Sequence, residues 1–221
     1  VTDSFVHLHK HTEFSMLDGA ARVSDSVTAA AADGQPAIGI TDHGNMYGVL
    51  DFYKACRARD IKPIIGFEAY MAHDSRHERP SRRGRMDDTG GDAEGGKKLY
   101  YHLTLLAENN TGYRNLIQLS SRAFMEGYYY KPRLDWELLE SHAEGVIATT
   151  GCLGGHVLQS LMNEGYEVAL SKAGRLQDIF GRDNLFVEIQ DHGIPAQTQT
   201  NPDLLRIAKA IGAPLLATND S

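Results

Sequence analysis

The chain has 221 residues, 42% of them hydrophobic, and a formal net charge of -7 at pH 7. A chain of this length can bury one sizeable core, so we predict a single domain over residues 1–221. The acidic balance argues against a protein that holds nucleic acid by overall basicity. No apolar run approaches the ~20 residues of a membrane span and no signal peptide opens the chain, so we expect a cytoplasmic protein with no membrane partner.

Short apolar runs alternate with amphipathic stretches, which is typical of strands and helices that follow one another. The predicted strands are Phe5 to His9, Ala37 to Thr41, Pro63 to Tyr70, Tyr100 to Leu106, Val146 to Thr149, Leu185 to Ile189 and Pro214 to Ala217. The predicted helices are Val23 to Ala32, Val49 to Arg59, Tyr113 to Phe124, a short one through Leu139 that Asp135 caps, His156 to Met162, Val168 to Phe180 and Leu204 to Ile211. Asn201 is the expected N-cap of the last helix, and Pro202 its first residue. This order indicates an α/β fold with a parallel sheet.

Histidines recur at every second residue in and after the first predicted strand. This spacing puts His7, His9 and His11 on one side of an extended chain, where their ring nitrogens can converge as metal ligands do. Asp18 follows on a loop long enough to return and add a carboxylate. The alternative is a set of surface polar residues or an expression-tag remnant, but a tag would not alternate with apolar residues. The sequence therefore predicts a metal site founded on this stretch.

Further candidate ligands lie at or just beyond the ends of other predicted strands. They are His43 after the second strand, Glu68 on the third, His102 on the fourth, Cys152 after the fifth and Asp220 after the seventh. An open sheet would spread these groups along one edge, whereas a closed barrel brings strand ends together around one mouth. We therefore predict that the strands form a barrel.

The glycine-rich segment Gly151 to Gly155 has a second interpretation as a loop that cradles a phosphate. It lacks the Lys-Ser/Thr ending of a P-loop and the spacing of a dinucleotide-binding fingerprint. A turn that presents Cys152 is the interpretation favoured here.

The interval from His73 to Lys98 interrupts the alternation of strands and helices. Arginines, glycines and charges of both signs fill it, so we predict a mobile insertion or a solvent-facing hairpin. Its arginines either contact a phosphate backbone or belong to a solvated loop; they are Arg79, Arg82, Arg83 and Arg85.

Several dispersed motifs together resemble the polymerase and histidinol phosphatase (PHP) family. They are the stretch from His7 to Gly19, Thr41-Asp42-His43-Gly44, Gly66-Phe67-Glu68, Gly151 to Gly155, and Ala217-Thr218-Asn219-Asp220. Two further short segments are similar to the PHP domains of bacterial replicative polymerases, the alpha subunits of DNA polymerase III. These are Phe186-Val187-Glu188-Ile189-Gln190 and Tyr129-Tyr130-Lys131-Pro132-Arg133. The resemblance covers nearly the whole chain except the interval from His73 to Lys98.

The resemblance implies a distorted seven-stranded (β/α)7 barrel that holds a cluster of up to three divalent metal ions. The implied ligands are His9, His11, Asp18, His43, Glu68, His102, Cys152 and Asp220, and all but the last two are also the implied catalytic residues. Asp42 is expected to orient a neighbouring imidazole. One thiol among imidazoles and carboxylates favours zinc, with manganese or iron as alternatives. The family's last motif is Asp-x-His, and because the chain ends at Ser221 we expect incomplete occupancy of the metal nearest Asp220.

The chemistry that the resemblance implies is metal-dependent phosphoester hydrolysis, acting as a 3′ to 5′ proofreading exonuclease on the 3′ end of DNA. Lys131, Arg133, Arg82 and Arg83 are candidate contacts to the DNA backbone. The implied partners are the polymerase body of the same chain and replisome subunits such as a sliding clamp. Two alternatives are a small-molecule phosphatase of the histidinol phosphatase type and a non-catalytic scaffold that supports the polymerase.

Overall fold

A curled mixed sheet forms the centre of the fold in the computed structural model, which describes residues 5–80 and 99–221. Its strands are β1 (Ala37–Ile40), β2 (Lys62–Ala72), β3 (Tyr100–Ala107), β4 (Arg133–Leu134), β5 (Val146–Thr149), β6 (Leu185–Ile189) and β7 (Leu215–Ala217). The strand order is β1-β2-β3-β5-β6-β7, and the short β4 pairs with β2. The predicted α/β class is confirmed, although β4 was not predicted from the sequence.

The direction of β3 departs from the predicted parallel sheet. β3 pairs antiparallel with both β2 and β5, whereas the other pairs are parallel. Ala72 at the end of β2 lies opposite Tyr100 at the start of β3. The chain therefore leaves β2 and enters β3 at the same end of the sheet. The two strands are antiparallel for this reason and need no crossover connection.

The first predicted strand, Phe5 to His9, is not a regular strand. The segment nevertheless runs beside β1, where the Gly39 amide donates to the carbonyl of His7 at 2.6 Å. A Cβ at Gly39 would lie 2.9 Å from that oxygen, so only glycine allows this approach. On its other side, the amide of His11 donates to the carbonyl of Ser221 at 2.7 Å. The segment thus connects β1 to the residues that follow β7, and it closes the curled sheet.

The helices pack around this sheet. They are α1 (Val23–Ala32), α2 (Val49–Arg57), α3 (Asn110–Glu126), α4 (Trp136–Ser141), α5 (His156–Asn163), α6 (Tyr166–Phe180) and α7 (Pro195–Ile211), and a 3-10 segment covers Glu13–Asp18. Asp135 caps α4 as predicted, because its carboxylate accepts the amide of Leu138 at 3.0 Å.

The predicted start of α7 is wrong. The helix begins at Pro195, and Pro202 lies inside it. The Asn201 side chain does not cap a helix there, because its amide donates to the carbonyl of Gln190 at 3.0 Å. The first turns carry mostly polar residues without apolar periodicity, so hydrophobic patterning could not detect them.

Side chains on β2 and β3 alternate between two different environments. On β2, Phe67 and Met71 face the apolar core, while Glu68 points to the inside of the curled sheet. On β3, Leu103 faces the core and His102 the inside. Since successive strand residues point to opposite faces, the same strands build a dry outer layer against the helices and a polar interior.

Arg133, predicted to contact DNA, is buried and anchors the fold instead. Its side chain is 1% exposed, and its guanidinium donates to the carbonyls of Gly127, Arg76 and Glu78. A guanidinium that is buried and bonded to its own chain in this way is not available to a DNA backbone, so that prediction is wrong. Arg82 and Arg83, and most of the predicted insertion, lie outside the described residues. Nowhere in the described ranges is a helix long and apolar enough to cross a membrane.

Asp135 ties α4 to the segment that follows β2. Its carboxylate accepts two bonds from the Arg76 guanidinium, at 2.7 and 2.9 Å, and both side chains are buried. We expect Asp135→Ala to lower the free energy of unfolding by about 3–5 kcal/mol, because it leaves a buried guanidinium without this partner and removes the cap.

Urea denaturation measures this change, and Asp203→Ala is the matched control. Asp203 pairs with Arg206 on an exposed face of α7, where such pairs contribute about 1 kcal/mol or less. Equal losses in the two variants would contradict the anchoring role of Asp135.

Candidate metal centre

Ligand atoms from distant parts of the chain converge inside the curled sheet in three adjoining groups. One group joins His9, His11 and Asp220; the second joins His11, His43 and Glu68; the third joins Glu68, His102 and Cys152. Within each group the ligand atoms lie within 4.8 Å of one another. Because His11 and Glu68 each belong to two groups, the three form one continuous cluster.

Asp18 lies at the rim of this cluster. Its carboxylate is 2.6 Å from Nε2 of His43, and its side chain is 63% exposed. The other ring nitrogen of His43, Nδ1, is 2.6 Å from Oε2 of Glu68. The 3-10 segment that ends at Asp18 thus returns toward the site, although Asp18 stands outside the three groups.

The glycine-rich turn after β5 holds Cys152 against His102. The amide of His102 donates to the carbonyl of Gly154 at 3.0 Å, and a Cβ at Gly154 would lie 3.0 Å from the imidazole ring. Sγ of Cys152 is then 3.6 Å from Nδ1 of His102 and 3.5 Å from Oε1 of Glu68. In this position the turn packs on a side chain, which supports the interpretation as a turn that presents a thiol.

The cluster contains buried polar atoms that make no hydrogen bond to any described residue. They are Nε2 of His9, His11 and His102. Burying a polar atom without a hydrogen-bond partner destabilises a fold. Several such atoms within one cluster therefore indicate that a ligand binds there. Imidazole nitrogens, carboxylates and a thiol are donors that divalent transition metals accept, and the residues therefore fit metal ions.

Hydrogen bonds behind His11 determine which of its nitrogens faces the cluster. Ser15 Oγ donates its single proton to Asp42 at 2.7 Å, because a carboxylate can only accept. The same Oγ lies 2.8 Å from Nδ1 of His11 and so accepts a proton from it. Nε2 of His11 then presents its lone pair to the cluster. Asp42 therefore acts on the imidazole of His11 through Ser15.

Glu188 orients the imidazole of His9 in the same way, a role that was not predicted from the sequence. Its buried carboxylate lies 2.7 Å from Nδ1 of His9, and it also accepts the hydroxyls of Thr149 and Thr218. The side-chain amide of Gln190 donates to it at 3.0 Å. Alternation along β6 was the available signal, since Glu188 follows the core residue Val187 and must face inward.

The buried carboxylates favour protonated imidazoles. Burial alone would lower the pKa of His9, but Glu188, Asp220 and Glu68 outweigh it and raise this pKa well above 6.5. Burial likewise opposes charge on His43, yet Glu68 and Asp18 raise its pKa to about 9. A cation at these nitrogens must therefore displace protons.

Glu68 and Cys152 respond in opposite directions to the same surroundings. Burial would raise the pKa of Glu68, but the imidazoles of His102, His43 and His9 hold it well below its usual range. Burial raises the pKa of Cys152 well above its usual value, and the nearby carboxylates add to this effect. Glu68 is thus a buried negative charge of the cluster, while Cys152 is a thiol unless a cation displaces its proton.

A cavity of about 340 Å³ opens onto the cluster. Its lining includes Asp18, His43, His102, Cys152 and Asp220 from the cluster, with Gln190, His192, Ile194 and Gln197 from the segment around the start of α7. This segment was not predicted to contribute, because its buried polar contacts follow no sequence motif. The cavity therefore gives an entering molecule access to this side of the cluster.

Lys131 lies at the edge of the site on the β4 side. Its Nζ is 5.2 Å from the centroid of the Tyr70 ring, and that ring stacks on His43 at 5.7 Å. A cation–π contact of this kind holds the ammonium against Tyr70, the neighbour of His43.

The chain is similar to large replicative polymerases. It is 49% identical to the DNA polymerase III subunit alpha of Saccharopolyspora erythraea, over 99% of this chain and 19% of that protein. Identity is 45% with the same subunit of Thermus aquaticus, over 98% of this chain and 17% of that protein, and 47% with that of Mycobacterium tuberculosis, over 98% and 18%. The chain thus spans less than a fifth of the length of these relatives.

Solved structures share the fold at low identity. One is a candidate metal-dependent phosphoesterase from Bifidobacterium adolescentis, with a TM-score of 0.53 and 15% identity over 97% of this chain and 86% of that chain. Another is a two-domain protein from Bacteroides vulgatus that contains a predicted PHP-like metal-dependent phosphoesterase, with a TM-score of 0.53 and 14% identity over 97% and 51%. The sequence pattern of the PHP domain matches residues 7–192. The chain therefore belongs to the PHP domain family.

Proposed function

We propose that this chain hydrolyses phosphodiester bonds at the 3′ end of DNA and acts as a 3′ to 5′ proofreading exonuclease within a replicative DNA polymerase. The observation that carries the proposal is the cluster of three adjoining ligand groups that share His11 and Glu68, four of whose members, His43, His102, Cys152 and Asp220, line an open cavity. The similarity to alpha subunits of DNA polymerase III supports the replicative context.

The proposed metal ligands are the predicted eight, His9, His11, Asp18, His43, Glu68, His102, Cys152 and Asp220. Up to three divalent ions, of which zinc is our first choice, would supply an activated water at neutral pH and stabilise the charge on the phosphate oxygens. Glu188 and Ser15 would keep the Nε2 lone pairs of His9 and His11 directed at the cations. Asp18, exposed at the rim beside His43, would hold a cation where an incoming phosphodiester end could reach it.

The DNA end would approach along the rim beside Lys131, whose ammonium can pair with a backbone phosphate. The proposed partners are the polymerase body of the same chain and replisome subunits such as a sliding clamp, in the cytoplasm. Proofreading in this arrangement would remove a mismatched nucleotide close to where synthesis places it.

The exonuclease proposal predicts digestion of a mismatched primer end that chelators abolish. His9→Ala and Asp18→Asn in the full-length protein should each reduce the rate by more than the ~10- to 100-fold that is typical when a partner behind a ligand is lost. Elemental analysis of the same preparations should find fewer bound ions in His9→Ala, and His77→Ala, an exposed histidine outside the cluster, should match the unmodified protein.

The products distinguish the alternatives. Release of mononucleotides from the 3′ end supports the proposal, whereas phosphate release from histidinol phosphate without primer digestion would replace it with a small-molecule phosphatase. Primer digestion that survives unchanged in both variants would assign the activity elsewhere and leave this chain as a scaffold.

Glu188 provides a second prediction, because it holds the proton on Nδ1 of His9. We expect Glu188→Ala to weaken metal binding by about 10- to 100-fold, as measured by calorimetric titration. Glu188→Gln keeps an oxygen that can accept the Nδ1 proton, so its loss should be smaller. Circular dichroism checks folding in both variants, and an unchanged affinity in Glu188→Ala would contradict the positioning role.

The raised imidazole pKa values predict that metal binding strengthens as pH rises. Below its pKa of about 9, His43 carries a proton that a cation must displace. Each displaced proton makes affinity rise about tenfold per pH unit, until the pH exceeds that value. Calorimetry in buffers of different ionisation enthalpy counts the released protons, and His43→Ala should release about one fewer. An affinity that is constant between pH 6.5 and about 9 would refute this expectation.

A further inference from the structure

Three aromatic side chains form a ridge on the surface beside the metal centre. Tyr47 lies between β1 and α2, Phe124 is near the end of α3, and Tyr128 follows that helix. The rings of Tyr47 and Phe124 are 6.0 Å apart, and those of Phe124 and Tyr128 are 6.2 Å apart and nearly parallel. Tyr47 is 65% exposed and Tyr128 56%, so large ring surfaces face water. We name these three residues the aromatic ridge.

The two segments that carry the ridge meet next to His43. A Cβ at Gly44 would lie 2.8 Å from the Tyr70 ring and 3.0 Å from Pro132, so the turn after His43 packs tightly against the segment after Tyr128. Tyr47 is four residues beyond His43, a distance of at most about 14 Å along an extended chain. A few nucleotides of an extended strand can therefore span the ridge and the cavity.

The charges around the ridge suit an anionic strand. Lys131 holds its ammonium against the Tyr70 ring, and that ring also stacks with His43. Glu126 is the only acidic residue from 122 to 133, and it is neutralised by hydrogen bonds to Arg76 at 2.8 Å and Arg122 at 2.7 Å. The overall charge of the chain is negative, so the balance within residues 122–133 departs from that of the whole chain.

We propose that the aromatic ridge stacks the bases of a single-stranded nucleic acid while its 3′-terminal phosphodiester enters the metal centre and Lys131 contacts its backbone. The inference rests on the proposed hydrolase function and names the form of its substrate. Aromatic side chains stack on any base, which an enzyme that trims ends of every sequence requires. A duplex keeps its bases stacked on one another, so a frayed or unpaired end would bind in preference to a paired one.

Photocrosslinking locates the strand directly. An oligonucleotide with 5-iodouracil close to its 3′ end is irradiated with the full-length wild-type protein in the presence of a chelator, which prevents digestion. We expect crosslinked peptides that contain Tyr47 or Tyr128, and fewer of them with a blunt duplex of the same sequence. Crosslinks that all map elsewhere would overturn the inference, whether or not hydrolysis occurs.

Kinetics provides the second test. The double variant Tyr47→Ala and Tyr128→Ala should raise KM for digestion of a single strand about tenfold or more, with a smaller effect on kcat. The corresponding double phenylalanine variant should retain the wild-type KM, because stacking does not need the hydroxyl. Tyr53→Ala, an exposed tyrosine of α2 in a separate groove, is the matched control.

The remaining outcomes separate this inference from the proposed function. Hydrolysis of bis-(p-nitrophenyl) phosphate measures the metal centre alone, and its absence in the wild-type protein would refute the hydrolase function while crosslinking still tests the ridge. Active hydrolysis with no crosslinks and an unchanged KM would refute only the ridge. If the double alanine variant instead alters subunit assembly alone, the ridge is a protein-docking surface and the inference is wrong.

Discussion

The site depends on one buried carboxylate. Glu68 is 1% exposed and lies within 3.7 Å of imidazoles from three other parts of the chain, those of His11, His43 and His102. A single negative charge in a poorly solvated interior must be compensated, and here the compensating groups are the candidate metal ligands themselves. The position of Glu68 on β2 therefore determines the geometry of the whole cluster.

A polar interior of this kind persists only if a second layer of groups holds it. Glu188 behind His9 and the pair of Ser15 and Asp42 behind His11 satisfy the ring nitrogens that face away from the cluster. Nε2 of His9, His11 and His102, which faces the cluster, makes no hydrogen bond within the described residues. The fold thus contains buried nitrogens without hydrogen bonds at its centre. The apolar layer between the sheet and the helices offsets the stability that these nitrogens remove.

The rim of the site is built from segments that leave the strands rather than from the strands themselves. The turn after His43 and the segment around Lys131 meet at Gly44 and Pro132, and from there they carry exposed aromatic residues outward. The opposite wall comes from Gln190 to Gln197. Variation in these loops can change the substrate while the cluster beneath them keeps its chemistry.

The sequence by itself determined most of the helices and strands and which residue types could form the cluster. Strand and helix periodicity predicted most element bounds to within a few residues, and alternating histidines, strand-end polar residues and the PHP motifs indicated which side chains would meet. Only the tertiary structure decided that β3 is reversed, that the first histidine segment closes the sheet without being a regular strand, and that Arg133 is buried. It also revealed Glu188 and Ser15 as the groups that orient His9 and His11. Periodicity reports which face of an element is apolar, but the partner of each polar atom depends on contacts between residues far apart in sequence, and these exist only once the sheet has curled.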